Sequence, residues 1–208
     1  MKKWIIYLFF LLVLLVTVSA HQPRIVTKEL TIVQNPEISQ AFYGILDGEP
    51  EYFEIQSQVP FKLYVGILVP DVEYIDKDVS AKVTSNKKEI FLLDGTAFEW
   101  TYFHEEFAGD SYYKGPEKEL EVNPGTYNIE VFSPDNQGKY VLVVGKKEEF
   151  PLNEWVNTIV TLPKLKKFFD KSPFTAFFNL IGLSLLIIIL VIAGIIALVV
   201  YLIKKQKS

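Results

Sequence analysis

With 208 residues, 50% of them hydrophobic and 22% charged, the chain is too apolar to stay disordered and long enough for one ordinary domain with attachments. The apolar residues concentrate at 4–18 and 174–203, and what remains has the size of a single domain. The net charge of −4 hides a segregation: 12 basic against 24 acidic side chains lie between His21 and Leu162, and this acidic middle excludes a nucleic-acid partner, whose phosphates it would repel. Cysteine is absent, which removes disulfides, thiolate catalysis and Cys-ligated metal centres. No Asn-x-Ser/Thr acceptor occurs either, and an exported domain lacking both features fits a bacterial or archaeal origin.

Lys2 and Lys3 precede the apolar run, and Val18-Ser19-Ala20 places small or modest residues where a signal peptidase cuts. This predicts a signal peptide at 1–20, cleaved after Ala20. The alternative is an uncleaved anchor, but its apolar run is shorter than the about 20 residues a bilayer requires. Either way the segment that follows is expected outside the cytoplasm.

Residues 21–148 read as an all-β ectodomain, a two-sheet β-sandwich, because short β-rich runs alternate with turn residues and helical periodicity is almost absent. The predicted strands are 25–33, 41–46, 52–56, 61–69, 79–84, 89–93, 99–104, 118–122, 127–132 and 140–144. Tyr127, Ile129 and Val131 alternate with Asn128 and Glu130, and Ser133-Pro134-Asp135-Asn136-Gln137-Gly138 turns the chain back. That pattern predicts a hairpin of 127–132 with 140–144.

Three stretches carry a resemblance: Asp47-Gly48-Glu49-Pro50-Glu51-Tyr52-Phe53-Glu54-Ile55, Gly125-Thr126-Tyr127-Asn128-Ile129-Glu130-Val131 and Gly138-Lys139-Tyr140-Val141-Leu142. In this order they resemble the bacterial pre-peptidase C-terminal (PPC) type of β-sandwich over residues 44–145. The resemblance implies a jelly-roll-like module that serves binding or targeting. Gly125-x-Tyr127 also fits a tyrosine corner, in which the phenol bonds to nearby backbone. The stretch 98–116 reads as an insertion relative to such domains.

Beyond the sandwich, Leu152, Trp155, Val156, Ile159 and Val160 recur at helical spacing, predicting a helix that ends at Pro163 with this stripe packed on the sandwich or on membrane. Leu165, Phe168 and Phe169 interleave with Lys164, Lys166 and Lys167, so 149–173 is expected to be a helical, basic juxtamembrane segment, either lying among lipid headgroups or solvated. No charge falls between Ser172 and Ile203, and 174–203 is predicted to be a transmembrane helix. Lys204, Lys205 and Lys207 follow in a tail, 204–208, expected to be cytoplasmic and too short for a signalling module. Ala193 and Ala197 give the helix a small-xxx-small spacing that could seat a second helix.

Chemistry has few footholds. Aromatic residues crowd 98–113, and Trp100, Tyr102, Phe107, Tyr112 and Tyr113 are the candidates for a rim that stacks on a carbohydrate or protein ligand, unless they pack on one another. Cleavage after Ala20 would leave His21 with a free α-amine, and together with His104 it could form a copper-binding histidine brace. Glu105, Glu106 and Asp110 are oxygen donors of the kind calcium takes, without the spacing of a recognised loop. No cofactor is otherwise expected, and no hydrolase triad or phosphate-cradling glycine loop occurs. The reading that results is a non-catalytic, single-pass, membrane-anchored extracytoplasmic binding or interaction module. The alternatives are a copper-binding surface protein and a structural subunit of a membrane complex.

Overall fold

The computed structural model describes residues 21–27, 30–105 and 108–207; the expected signal peptide lies outside them. Eleven strands are present among these residues: β1 (Gln22–Ile25), β2 (Leu30–Val33), β3 (Gln40–Asp47), β4 (Glu51–Ser57), β5 (Phe61–Pro70), β6 (Ser80–Ser85), β7 (Lys88–Leu93), β8 (Thr101–Glu105), β9 (Asp110–Val122), β10 (Gly125–Phe132) and β11 (Gln137–Val144). They form a two-sheet sandwich, one sheet ordered β1-β3-β11-β5-β9-β8 and the other β2-β4-β10-β6-β7. Alternation sets the core. Phe42, Leu63, Val65, Ile67 and Leu142 point inward from the larger sheet and meet Phe53, Ile55, Ala81, Val83, Ile129 and Val131 from the smaller.

Two expectations are corrected here. The predicted strand at 25–33 is split, because β1 pairs with β3 in one sheet and β2 with β4 in the other, so the chain changes sheet between them. The expected hairpin of β10 with β11 does not form. Both edges of β10 are hydrogen-bonded by β4 and β6, and both edges of β11 by β3 and β5. The turn therefore carries the chain across the sandwich, braced by Ser133 Oγ against Asp135 and by the Ser133 N–H on Asn136 Oδ1. The hairpins that do occur are β6–β7, whose turn residues Asn86 and Lys87 both have positive φ as a two-residue type I′ turn requires, and β8–β9.

The tyrosine corner is present: Tyr127 donates its hydroxyl to Asn123 O at 2.8 Å. A second tyrosine, Tyr140 on β11, lies fully buried beside its register partner Gly44 on β3 and donates to Glu51, whose carboxyl burial holds above the usual carboxylate range.

The helices modify the sequence reading more. Helix α1 (Leu152–Phe168) runs straight through Pro163 instead of ending there. A proline in a helix interior costs about 3 kcal/mol, whereas burying Leu162, Leu165 and Phe169 returns about 1.5–3 kcal/mol each, so docking outweighs the lost bond. A 3₁₀ turn (Pro173–Phe177) follows, and then α2 (Leu180–Lys207). Helix α2 is one long apolar helix with a mean hydropathy of 3.4 and no buried share in its most apolar stretch, which is long and apolar enough to cross a membrane. It begins later than the predicted 174 because Asn179 caps it, its Oδ1 accepting the Gly182 N–H at 3.0 Å.

A Cβ placed on Gly44 would fall 2.3 Å from Cζ of Tyr140. The Gly44→Ala variant is expected to lose about 1–3 kcal/mol of stability through overpacking, read as a lower midpoint in chemical denaturation of the detergent-solubilised protein.

Candidate functional site

The larger sheet has one strand more than the smaller, and that strand, β8, forms its edge. Among its residues Thr101, Tyr102, Phe103 and His104 are all exposed. Register with β9 sorts them by face: Phe103 opposes Tyr112 on the outer face, while Tyr102 opposes Tyr113 and His104 opposes Ser111 on the inner one. The stretch expected to be an insertion folds as an edge hairpin of β8 with the first part of β9. Gly115 and Pro116 together oppose Ile67 in a bulge, where a proline without an N–H is tolerated.

On the inner face of this hairpin the aromatic rings form a shelf. Tyr102 is 59% exposed and meets Tyr113 edge-on at 6.2 Å, with the ammonium of Lys77 lying 4.1 Å above the Tyr113 ring. The charge of neighbouring Asp71 holds the Tyr113 phenol above its ordinary range. Ser111 Oγ stands 2.9 Å from both the Tyr102 hydroxyl and His104 Nδ1, so one hydroxyl orients two shelf residues. Trp100 belongs to the scaffold of the shelf: its indole N–H donates to Gly95 O at 2.9 Å, and its ring covers Gly115, where a Cβ would come within 2.5 Å.

Not all of the predicted rim is available. Tyr112 points to the other face and is buried, its hydroxyl 2.9 Å from that of Tyr43 and its ring edge-on to Phe169 of the segment after α1. Burial pushes both phenols up. Phe107 and Glu106 lie outside the described residues. Phe103, one of the crowded aromatic residues but not a rim candidate, is 44% exposed on the outer face, and Asp71 and Lys77 flank the shelf although the sequence does not assign them to it. The part of Asp71 and Lys77 in the shelf follows from the residue 71–78 loop lying beside β9, which no local pattern announces.

The two histidines do not converge. His21 sits in a hollow of about 160 Å³ on the outer face with Tyr64, Phe103, Lys114 and Glu117, its Nδ1 bonded to Ser39 Oγ, and burial lowers its pKa. Because side chains alternate along a strand, His104 projects from the face opposite to Phe103 and so away from His21. The brace loses its second imidazole. Among the described residues no three His, Cys, Asp or Glu side chains come together in a way that could hold a metal ion.

Two of the three calcium donors, Glu105 and Asp110, are committed elsewhere. Asp110 is buried, with Lys166 Nζ at 2.7 Å from Oδ2 and Lys171 Nζ at 2.9 Å from Oδ1. Glu105 accepts the Ala108 N–H at 2.7 Å. A cation would have to displace two ammonium groups from Asp110, so this carboxylate is a structural anchor for α1 rather than a calcium ligand. The same loop holds α2: Ala108 O accepts from Lys166 Nζ at 2.6 Å and from Asn179 Nδ2 at 2.8 Å. Leu165 and Phe169 then pack on Tyr43, Val141 and Val143, so the basic segment expected among headgroups is docked on the sheet by the face that carries these residues.

A second concavity, about 770 Å³, opens between β1, β2 and the start of α1. Its polar groups are largely spoken for: Arg24 pairs with both oxygens of Glu154 at 2.8 and 2.9 Å, Gln22 donates to Glu149 O, and Gln40 donates to Gln34 O. The shelf is the better candidate site.

The fold and this geometry define a β-sandwich that carries an exposed aromatic edge and one helix long and apolar enough to cross a membrane. No family model matches the chain, and no curated protein does. Solved structures similar to it include the pre-peptidase C-terminal domain of a collagenase from Bacillus anthracis, the type of domain that the sequence resembles, at 10% identity and a TM-score of 0.36, covering 57% of this chain and 96% of that one. Others are the catalytic domain of a GH87 alpha-1,3-glucanase (14% identity, TM-score 0.28, 53% of this chain and 22% of that one) and a ruminal GH26 endo-beta-1,4-mannanase (11%, 0.28, 52% and 20%). The chain spans about a fifth of the length of these two glycoside hydrolases.

Removing Lys166 would leave Asp110 buried with only the half-exposed Lys171 as counter-ion. Lys166→Met is expected to destabilise the protein by about 3 kcal/mol, and Asp110→Asn added to it to recover part of that loss, as measured by urea unfolding in detergent followed through tryptophan fluorescence.

Proposed function

We propose that the protein is a non-catalytic, single-pass, membrane-anchored binding module whose sandwich stands outside the cytoplasm and takes a carbohydrate or protein ligand on the shelf of Tyr102 and Tyr113. The observation that supports it best is the overhang of β8: a solvent-exposed edge strand carrying aromatic rings that no second sheet covers. Tyr and Trp rings give large contact area at little loss of conformational freedom, and ring faces suit the apolar side of a sugar or a peptide side chain equally. Asp71, His104 and Lys77 around them supply the few polar groups that orient a ligand. The leading basic-apolar segment and the lysines after α2 favour the outward orientation.

The test is a binding screen of the full chain in detergent against cell-envelope polysaccharides and against an envelope protein extract by cross-linking. Tyr102→Ala is expected to weaken any bound ligand at least tenfold while the unfolding midpoint moves little, since Tyr102 is 59% exposed, whereas Tyr113 packs partly against the core. Retention of full affinity by this variant would place binding elsewhere.

A further inference from the structure

Helix α1 has two apolar faces, and the sandwich uses only one. At 100° per residue, Leu165 and Phe169 project towards the sheet. Leu152, Val156 and Val160 form a separate stripe roughly opposite to them, and these three side chains expose 84%, 63% and 63% of their surface. They are among the residues whose helical spacing predicts the helix, and no described residue buries them.

We infer that this stripe lies in a lipid surface, so that α1 rests flat on the bilayer and holds the sandwich above it at a fixed tilt. The inference rests on the reading of α2 as a membrane span. The depth of α1 follows from that span. About 20 residues at 1.5 Å each cross the roughly 30 Å of hydrocarbon, and counted back from Ile203, beside Lys204 and Lys205, they reach Ser184. Ile181 sits one turn outside this boundary and Leu185 just within it, and both belong to the cluster formed with Leu162, Ala176 and Trp155. Helix α1 is therefore packed against the first turns of the span, at the level where headgroups meet acyl chains.

The neighbouring side chains fit that level. Phe174 and Phe178, on either side of the 3₁₀ turn's core residue Ala176, are more than four-fifths exposed and continue the apolar surface between α1 and α2. Trp155 is the kind of ring that anchors at a membrane interface, and the exposed Lys164 and Lys167 border the stripe as cations do on helices that lie in anionic headgroups. Clamping through Asp110, Lys166 and Asn179 ties this helix to both the sheet and the span, so its orientation on the bilayer becomes the orientation of the domain.

The absence of cysteine makes the test direct. Single variants Val156→Cys and Val160→Cys on the stripe, Asn157→Cys on the polar face and Ile189→Cys within α2 are spin-labelled in the full chain and reconstituted into vesicles of phosphatidylcholine with phosphatidylglycerol. Collision with oxygen, which concentrates in lipid, is compared with collision with a water-soluble nickel chelate. Labels at 156 and 160 are expected to favour oxygen as the label at 189 does, with the label at 157 favouring the chelate. If 189 reports lipid while 156 and 160 meet the chelate as freely as 157, the stripe faces water and the inference fails with the anchoring reading intact. If 156 and 160 are shielded from both reagents, a protein covers the stripe and the inference again fails. If 189 itself meets the chelate, the span is misread and both fall together.

Discussion

The arrangement of this protein depends on one buried carboxylate. Asp110 opens β9 at the turn after the edge strand, and both of its oxygens are held by ammonium groups that arrive from the chain after the sandwich, Lys166 and Lys171. Withdrawing such ions from water costs several kcal/mol each, and the cost is met only when geometry and further hydrogen bonds are good. Here the Ala108 carbonyl supplies the further acceptor for Lys166 and, through Asn179, also fixes the cap of the apolar helix. One loop therefore sets the position of the sandwich, of α1 and of α2.

The clamp explains why the central strands are apolar on both faces. Val141, Leu142, Val143 and Val144 in β11 are all buried, Leu142 and Val144 in the sandwich core and Val141 and Val143 beneath Leu165 and Phe169. A sheet with one wet face would carry polar residues at alternate positions. The outer cover by α1 removes that requirement and lets Tyr43, Tyr64 and Tyr112 be buried on the same side, with their hydroxyls satisfied by one another or by Glu117.

The candidate site arises from an imbalance in the same framework. Six strands lie over five, and the additional edge strand keeps its aromatic rings without a second sheet to bury them. The turn that joins β8 to β9 is the clamped one, and strands advance only about 3.3 Å per residue, so Tyr102 and Tyr113 stand within a few residues of the loop that grips α2. A ligand on the shelf would meet the protein close to the apolar helix rather than at the far end of the sandwich, as suits partners or polymers held near a membrane.

Local pattern alone was enough to establish the two-sheet β-sandwich, most of its strands, the tyrosine corner and the apolar span, because each is written in periods of two, in turn residues or in an unbroken apolar run. The hairpin of β10 with β11 was misread since a turn between two alternating strands looks the same whether the strands pair or face each other across a core. Pro163 does not end the helix because docking of Leu165 and Phe169 outweighs the bond that the proline removes, and periodicity says that the helix has an apolar stripe at Leu152, Val156 and Val160 but not whether sheet or membrane takes it. The opposed positions of His21 and His104, the burial of Tyr112 and the engagement of Asp110 by Lys166 over 56 residues of chain depend on strand pairing and docking. Those contacts join distant segments, and only the tertiary structure decides them.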